Sequence, residues 1–261
     1  MHVFDGAAPV MPGHYQPRHR PLSDIEALTN AHGARHLVLV QPSVYGTDNS
    51  VLLEALGASG GRHRGVVVLD DSVSDASLER MHELGVRAVR FNLVSPLGSA
   101  GQVDWGRSFG LIAPRLRALG WHMQWYARPQ DLGVIEVLHS SRAGAGIPAV
   151  LDHLAGMHAG LPAADSAWQT LARLAQNGAW VKLSGWYRLN AAAPYSGLTR
   201  NVERVAGLFA QRMVWGSDWP HTSFAADALP EYGSLQQPLS DALTKAAMAC
   251  ALGCSAESLY R

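Results

Sequence analysis

The residues with the most chemistry to offer sit where apolar runs give way to polar turns. Met213-Val-Trp-Gly-Ser-Asp-Trp-Pro-His221 is a short apolar run that ends in Asp218, between Trp215 and Trp219. A carboxylate shielded by indoles loses hydration, which raises its pKa and suits it to take a proton. Turn formation is the competing account, since Asp at a strand end commonly bonds the backbone two residues on. His153 closes Ile147-Pro-Ala-Val-Leu-Asp-His153 in the same manner, as a site histidine or a satisfied core one. Arg90 lies inside the apolar run Val86–Asn92, where an unpaired charge is costly. Its guanidinium must meet a carboxylate, either the protein's own or a substrate's. Arg188, just beyond Lys182-Leu-Ser-Gly185, reads as a second anion ligand or as a surface residue.

These groups need a scaffold that brings run ends together. After a proline-rich segment over 6–21, apolar runs and helical patterns alternate down the chain. Strands are expected at 1–4 (a stub whose beginning is missing), 36–40, 65–69, 86–92, 121–126, 147–153, 179–184 and 213–215. Helices are expected after each, the first opening near Ser23 and Asp24 and the last running over about 239–252. Strict alternation implies a parallel sheet, and eight repeats imply closure into a barrel. The expected fold is thus α/β, a (β/α)8 TIM barrel forming a single domain over residues 1–261, with its first strand truncated. An open doubly wound sheet would carry a glycine-rich phosphate turn after an early strand, and this chain has none.

In such a barrel the strand carboxyl ends carry the site. Those ends supply His2, Ser43, Arg90, Asn92, Tyr126, His153, Arg188 and Asp218. His2 is otherwise a frayed terminus and Tyr126 an aromatic packing residue; His221 is a rim contact or a turn residue. Asp152 falls nearer the barrel wall by alternation and reads as structural. His14, His19, His32, His36, His63, His82, His139 and His158 fall in loops or on helices and read as solvated.

Composition narrows the partners. Of the 261 residues, 48% are hydrophobic and 16% charged, with 21 acids against 21 lysines and arginines. A formal charge of zero argues against nucleic acid or an anionic membrane as the main partner. No apolar run approaches the roughly 20 residues of a membrane span, and no basic segment followed by an apolar core stands at the start, so no signal peptide is expected. Cys250 and Cys254, four apart in the expected last helix, are no disulfide framework, so a reducing cytoplasm is the expected compartment.

The pieces His2-Val-Phe-Asp5, Gln41-Pro-Ser-Val-Tyr-Gly-Thr-Asp-Asn49, Val89-Arg-Phe-Asn92, Leu151-Asp-His153, Lys182-Leu-Ser-Gly185 with Arg188, and Trp215–His221 together resemble the amidohydrolase superfamily. The likeness is to its branch of lactone hydrolases acting on substrates such as 2-pyrone-4,6-dicarboxylate. It implies the (β/α)8 barrel, with Asp218 as the base and His153 as the histidine ending the sixth strand. It also implies a metal-free reaction, with the substrate carboxylates held by Arg90, Arg188, Tyr126 and Ser43, and with Tyr45 and Thr47 as further contacts. Two positions depart from the pattern. The family opens with a His-x-His pair, whereas Met1 stands at the intervening position and the first histidine is absent. Pro96 stands about where the branch carries an arginine.

The expected activity is hydrolysis of the ester bond of a carboxylate-bearing lactone, a pyrone dicarboxylate or a sugar-acid lactone. Asp218 takes the proton of water, while His153 and His2 stabilise the developing oxyanion. Three alternatives stand beside it. One is a metal-dependent amidohydrolase, with His2, His153 and Asp218 around a divalent ion such as Zn. Another is a non-redox decarboxylase, and the third is a barrel that binds small carboxylates without catalysis.

Overall fold

The computed structural model describes residues 1–12, 14–94, 104–225 and 227–261. Among these residues, seven strands follow one another in one sheet in chain order: β1 (Val38–Val40), β2 (Arg64–Val67), β3 (Val86–Asn92), β4 (His122–Tyr126), β5 (Ala149–Leu151), β6 (Trp180–Leu183) and β7 (Met213–Trp215). β1 pairs with β2 and β2 with β3, and β4–β5, β5–β6 and β6–β7 likewise pair, all in parallel. Valine is the commonest residue in them, as suits a parallel strand covered on both faces.

Residues 1–4 form no strand of their own. Main-chain bonds nonetheless hold them: Val40 N–H donates to the Met1 carbonyl at 2.8 Å and His2 N–H to the Trp219 carbonyl at 3.0 Å. The terminal ammonium reaches the Val38 carbonyl at 3.2 Å, and Phe4 bridges Arg20 in antiparallel fashion. The stub is tied down rather than frayed, and that fixes His2.

Between strands lie α1 (Leu22–Ala31), α2 (Ser50–Ala58), α3 (Asp75–Glu83), α4 (Trp105–Ala118), α5 (Leu132–Ser140), α6 (Ala167–Gln176) and α7 (Thr199–Phe209). Ser74 and Asp104 cap α3 and α4 by accepting from Ser77 N and Arg107 N at 3.1 and 2.9 Å. The expected cap at Ser23 or Asp24 is absent, because α1 starts behind Pro21, whose side chain offers no acceptor. The single last helix expected over 239–252 is instead three: α8 (Gln237–Ala242), α9 (Lys245–Leu252) and α10 (Cys254–Leu259). Thr244 caps α9 afresh, and Gly253 (φ −140°, ψ −87°) breaks the chain between α9 and α10. Cys250 and Cys254 therefore belong to different helices.

The described residues group into two compact units. The first takes Met1–Arg90, Leu97–Trp121 and Asp218–Ala228; the second takes Phe91–Pro96, His122–Ser217 and Leu229–Arg261. Each buries its own apolar set, with Ile25, Leu39, Leu52 and Val66 in the first and Val150, Leu171, Val181 and Val205 in the second. Among the described residues, no helix is long and apolar enough to cross a membrane.

Three histidines expected in solvent are internal connectors. His63 is 1% exposed; it accepts from Leu37 N at 3.3 Å and donates to Glu26 at 2.9 Å. His82 accepts from the Trp121 indole at 2.9 Å. His139 accepts from the Trp125 indole at 2.8 Å and donates to the Ile147 carbonyl at 3.1 Å, and burial pushes its pKa down to about 4. Each sits where its ring nitrogens join helix to strand, a tertiary contact that sequence spacing does not encode.

Candidate active site

In the first unit, His2 and Asp218 come together. The His2 Nε2 to Asp218 Oδ1 distance is 3.6 Å, with side chains 14% and 8% exposed. His2 Nδ1 lies 2.8 Å from the Val40 carbonyl. A carbonyl only accepts, so Nδ1 carries the hydrogen of this bond. Burial holds the imidazole below the ordinary histidine value; Asp218 pulls it back up, while the terminal ammonium and Arg90 push it down. In that neutral ring Nε2 presents a lone pair to a carboxylate, so two acceptors face each other. The Val40 carbonyl thus holds Nδ1 and leaves Nε2 as the nitrogen on the Asp218 side.

The backbone at Asp218 is left-handed (φ 56°), as it is at His221 (φ 60°). His221 N–H donates to the Asp218 carbonyl at 3.1 Å, making a compact turn, and the His221 side chain is 1% exposed. Positive φ in non-glycine residues costs on the order of 1–2 kcal/mol and tends to gather at functional sites. Arg90 belongs to the same unit and is 8% exposed, so its charge is held inside the protein. Ser43 opens a 3-10 turn, Ser43–Tyr45, and is half-buried. Tyr45 donates its hydroxyl to the Asp5 carbonyl at 2.7 Å and packs with Phe4 and Val44, so that hydrogen is committed inside the fold. Thr47 is exposed, its carbonyl accepting from Asn49 at 2.9 Å.

In the second unit, His153 is 4% exposed and begins a run of left-handed residues, His153, Leu154 and Ala155, with φ of 48°, 54° and 56°. Ala155 N–H closes this turn on the Asp152 carbonyl at 2.9 Å. The His153 Nδ1 lies 3.0 Å from Ser184 Oγ, and the Tyr126 ring stands edge-on to the imidazole, 4.9 Å between centroids. The Arg188 guanidinium lies over the Tyr187 ring at 5.0 Å, and Asn92 Oδ1 accepts from Val94 N at 3.1 Å. Pro96 lies outside the described residues.

A buried ionic cluster escaped sequence reasoning. Lys182 Nζ meets Asp152 Oδ1 at 2.8 Å, and Gln124 Nε2 donates to Asp152 Oδ2 at 3.0 Å. Asp152 is 2% exposed and structural as expected, but its counter-charge went unrecognised. Strand alternation was the available signal: His122, Gln124 and Tyr126 share one face of β4, as Lys182 and Ser184 share one face of the chain at β6. His122, 2% exposed, packs edge-on against Tyr260 at 4.8 Å. Burial, then the Lys182 charge, lowers its pKa to about 3.

Acid stability follows from His122. The unfolded chain binds its proton below about pH 6.5 while the folded chain resists until about pH 3, so stability falls as pH drops across that window. The contribution is at most about 5 kcal/mol at roughly 1.36 kcal/mol per unit. Urea midpoints between pH 4 and 7 should decline toward acid in the parent chain and more shallowly in His122→Gln. Equal slopes would show that His122 does not control the acid limb.

Among the described residues, no group of three or more His, Cys, Asp or Glu side chains is arranged to hold a metal ion.

The amidohydrolase family model matches residues 2–261. The chain belongs to the amidohydrolase family. Among its amidohydrolase relatives it is 31% identical over 234 residues to the 2-pyrone-4,6-dicarboxylate hydrolase of Comamonas testosteroni, a match covering 85% of this chain and 74% of that protein. It is 30% identical over 243 residues to the 4-sulfomuconolactone hydrolase of Rhizobium radiobacter, covering 90% and 79%. A solved protein of Pseudomonas putida superposes with a TM-score of 0.81 at 31% identity, over 99% of this chain and 94% of that one. One from Acinetobacter baumannii gives 0.83 at 23% identity, over 99% and 96%. The fold class of this amidohydrolase is accordingly α/β, the (β/α)8 TIM barrel.

Proposed function

We propose that this amidohydrolase opens carboxylate-bearing lactones by metal-free attack of water. The observation that carries the reading is the pair of facing acceptors, His2 Nε2 and Asp218 Oδ1, 3.6 Å apart and little exposed. A water placed there donates one hydrogen to the imidazole and one to the carboxylate, leaving its lone pairs for an electrophilic carbon. Asp218 takes the proton as the oxygen attacks the lactone carbonyl. The tetrahedral intermediate then expels the ring oxygen, which recovers that proton from Asp218 as the new hydroxyl, and the carboxylic acid formed beside it releases its remaining water proton to solvent to become a carboxylate.

The other roles rest on the barrel rule that strand carboxyl ends serve one site. His153 donates to the oxyanion, and Arg90 and Arg188 anchor the substrate carboxylates, a task suited to a bidentate guanidinium. Tyr126 and Ser43 add polar contacts. The named substrates of the two curated relatives, a pyrone dicarboxylate and a sulfomuconolactone, are anionic lactones, which supports the same class here. Cys250 and Cys254 are free thiols, which supports a reducing cytoplasm.

The test is a panel of carboxylated lactones, each beside its neutral methyl ester, assayed before and after chelation. Hydrolysis should favour the acids and survive the chelator. Arg90→Met should raise KM for the acids by roughly 10–100-fold, the loss of a charge-assisted hydrogen bond, and leave the esters nearly unchanged. Activity that disappears with the chelator and returns with zinc would replace this mechanism by the metal-dependent one.

A further inference from the structure

Ser184 and Gly185, which follow β6, have no role in the reaction as written. Their neighbour is His153. The Ser184 hydroxyl is 3.0 Å from His153 Nδ1, and both side chains are buried, 1% and 4% exposed. A hydroxyl beside an imidazole nitrogen has two arrangements: the ring N–H donates to oxygen, or the O–H donates to a ring lone pair. Burial decides between them. Among the described residues, His153 Nδ1 is the one group within hydrogen-bond reach of Ser184 Oγ. A buried O–H without an acceptor costs about 1–3 kcal/mol. The hydroxyl therefore donates, Nδ1 accepts, and the neutral ring carries its hydrogen on Nε2.

Gly185 completes the seat. Its backbone is left-handed (φ 61°), and a Cβ there would stand 2.3 Å from His153 Nδ1 and 2.8 Å from Cγ. The ring occupies the volume that any side chain at 185 would need. On another side the Tyr126 ring stands edge-on, and the left-handed turn from His153 sets where the side chain departs.

We propose that Ser184 and Gly185 are positioning residues that hold His153 in its Nε2–H tautomer, so that a neutral imidazole presents a hydrogen-bond donor. This rests on the lactone-hydrolase reading only for the use made of that donor; the seating of the ring stands apart from it. An imidazole fixed in this form donates to an oxyanion without being charged. Its contribution thus persists above the ordinary histidine pKa, where an imidazolium donor would fade.

Two readouts test the proposal on the full chain. Imidazole 15N NMR of the parent protein should show His153 as one tautomer, protonated at Nε2. Ser184→Ala should turn that signal into a mixture, lower kcat on the order of tenfold and leave KM unchanged, the expected loss of one hydrogen bond. Gly185→Ala should displace the ring and cost about a hundredfold in kcat. His153 protonated at Nδ1 in the parent, or a tautomer unchanged in Ser184→Ala, overturns the proposal. A parent chain that hydrolyses no lactone defeats the functional reading alone, because the NMR experiment then still decides how the ring is seated. If Gly185→Ala fails to fold, Ser184→Ala, which only removes a hydroxyl, carries the test.

Discussion

Asp218→Asn should lower kcat by about 10²–10⁴ and leave KM within a small factor. The amide keeps the shape and polarity of the carboxylate but cannot take a proton from water, and general-base catalysis supplies about that range. Substrate anchoring is assigned to Arg90 and Arg188, so binding should persist. A loss confined to kcat identifies an interaction made in the transition state. His2 sharpens the expectation. If it and Asp218 receive the two hydrogens of one water, their substitutions act on one event and do not add. His2→Gln alone should cost roughly 10–100-fold, on the scale of one lost hydrogen bond to the reacting water. Adding it to Asp218→Asn should change little. Steady-state kinetics of the four proteins closes the cycle. Near-parental turnover in Asp218→Asn removes Asp218 as the base, and full additivity removes the shared water.

The second large effect is on stability. Lys182→Met strands the Asp152 carboxylate, 2% exposed, without its counter-charge. Breaking a buried pair from one side costs about 3–5 kcal/mol. Removing both charges should restore much of that. In Asp152→Asn/Lys182→Met the new amide still accepts from Gln124, which now donates to Asp152. Urea denaturation should show a clear drop in midpoint for Lys182→Met and a substantial recovery in the double variant. A change of about 0.5 kcal/mol or less in Lys182→Met is the size expected at an ordinary surface site and would refute the claim.

The two predictions differ in where their residues were legible. Asp218 and His153 stand out in the sequence because each ends an apolar run, and the barrel rule turns a run's end into a place. Lys182 was visible only as part of a motif. Its partner, Asp152, lies just after a neighbouring strand, 30 positions away, and nothing local announces the pairing. His63, His82 and His139 illustrate the same limit. A loop or helical position suggests exposure, yet their nitrogens are claimed by backbone, indole or carboxylate groups from other elements.

Local physics determined the rest. Alternation of apolar runs with helical patterns specified parallel strands in chain order, since a β-α repeat has few other ways to bury its apolar faces. The residue types near strand ends specified the cast: one carboxylate, two histidines and two arginines. What only the tertiary structure decided is which atom of each faces which. The Val40 carbonyl claims His2 Nδ1 and leaves Nε2 toward Asp218; the Ser184 hydroxyl claims His153 Nδ1. A histidine donates or accepts according to the partner on its other nitrogen, and that partner is supplied by a residue distant in sequence.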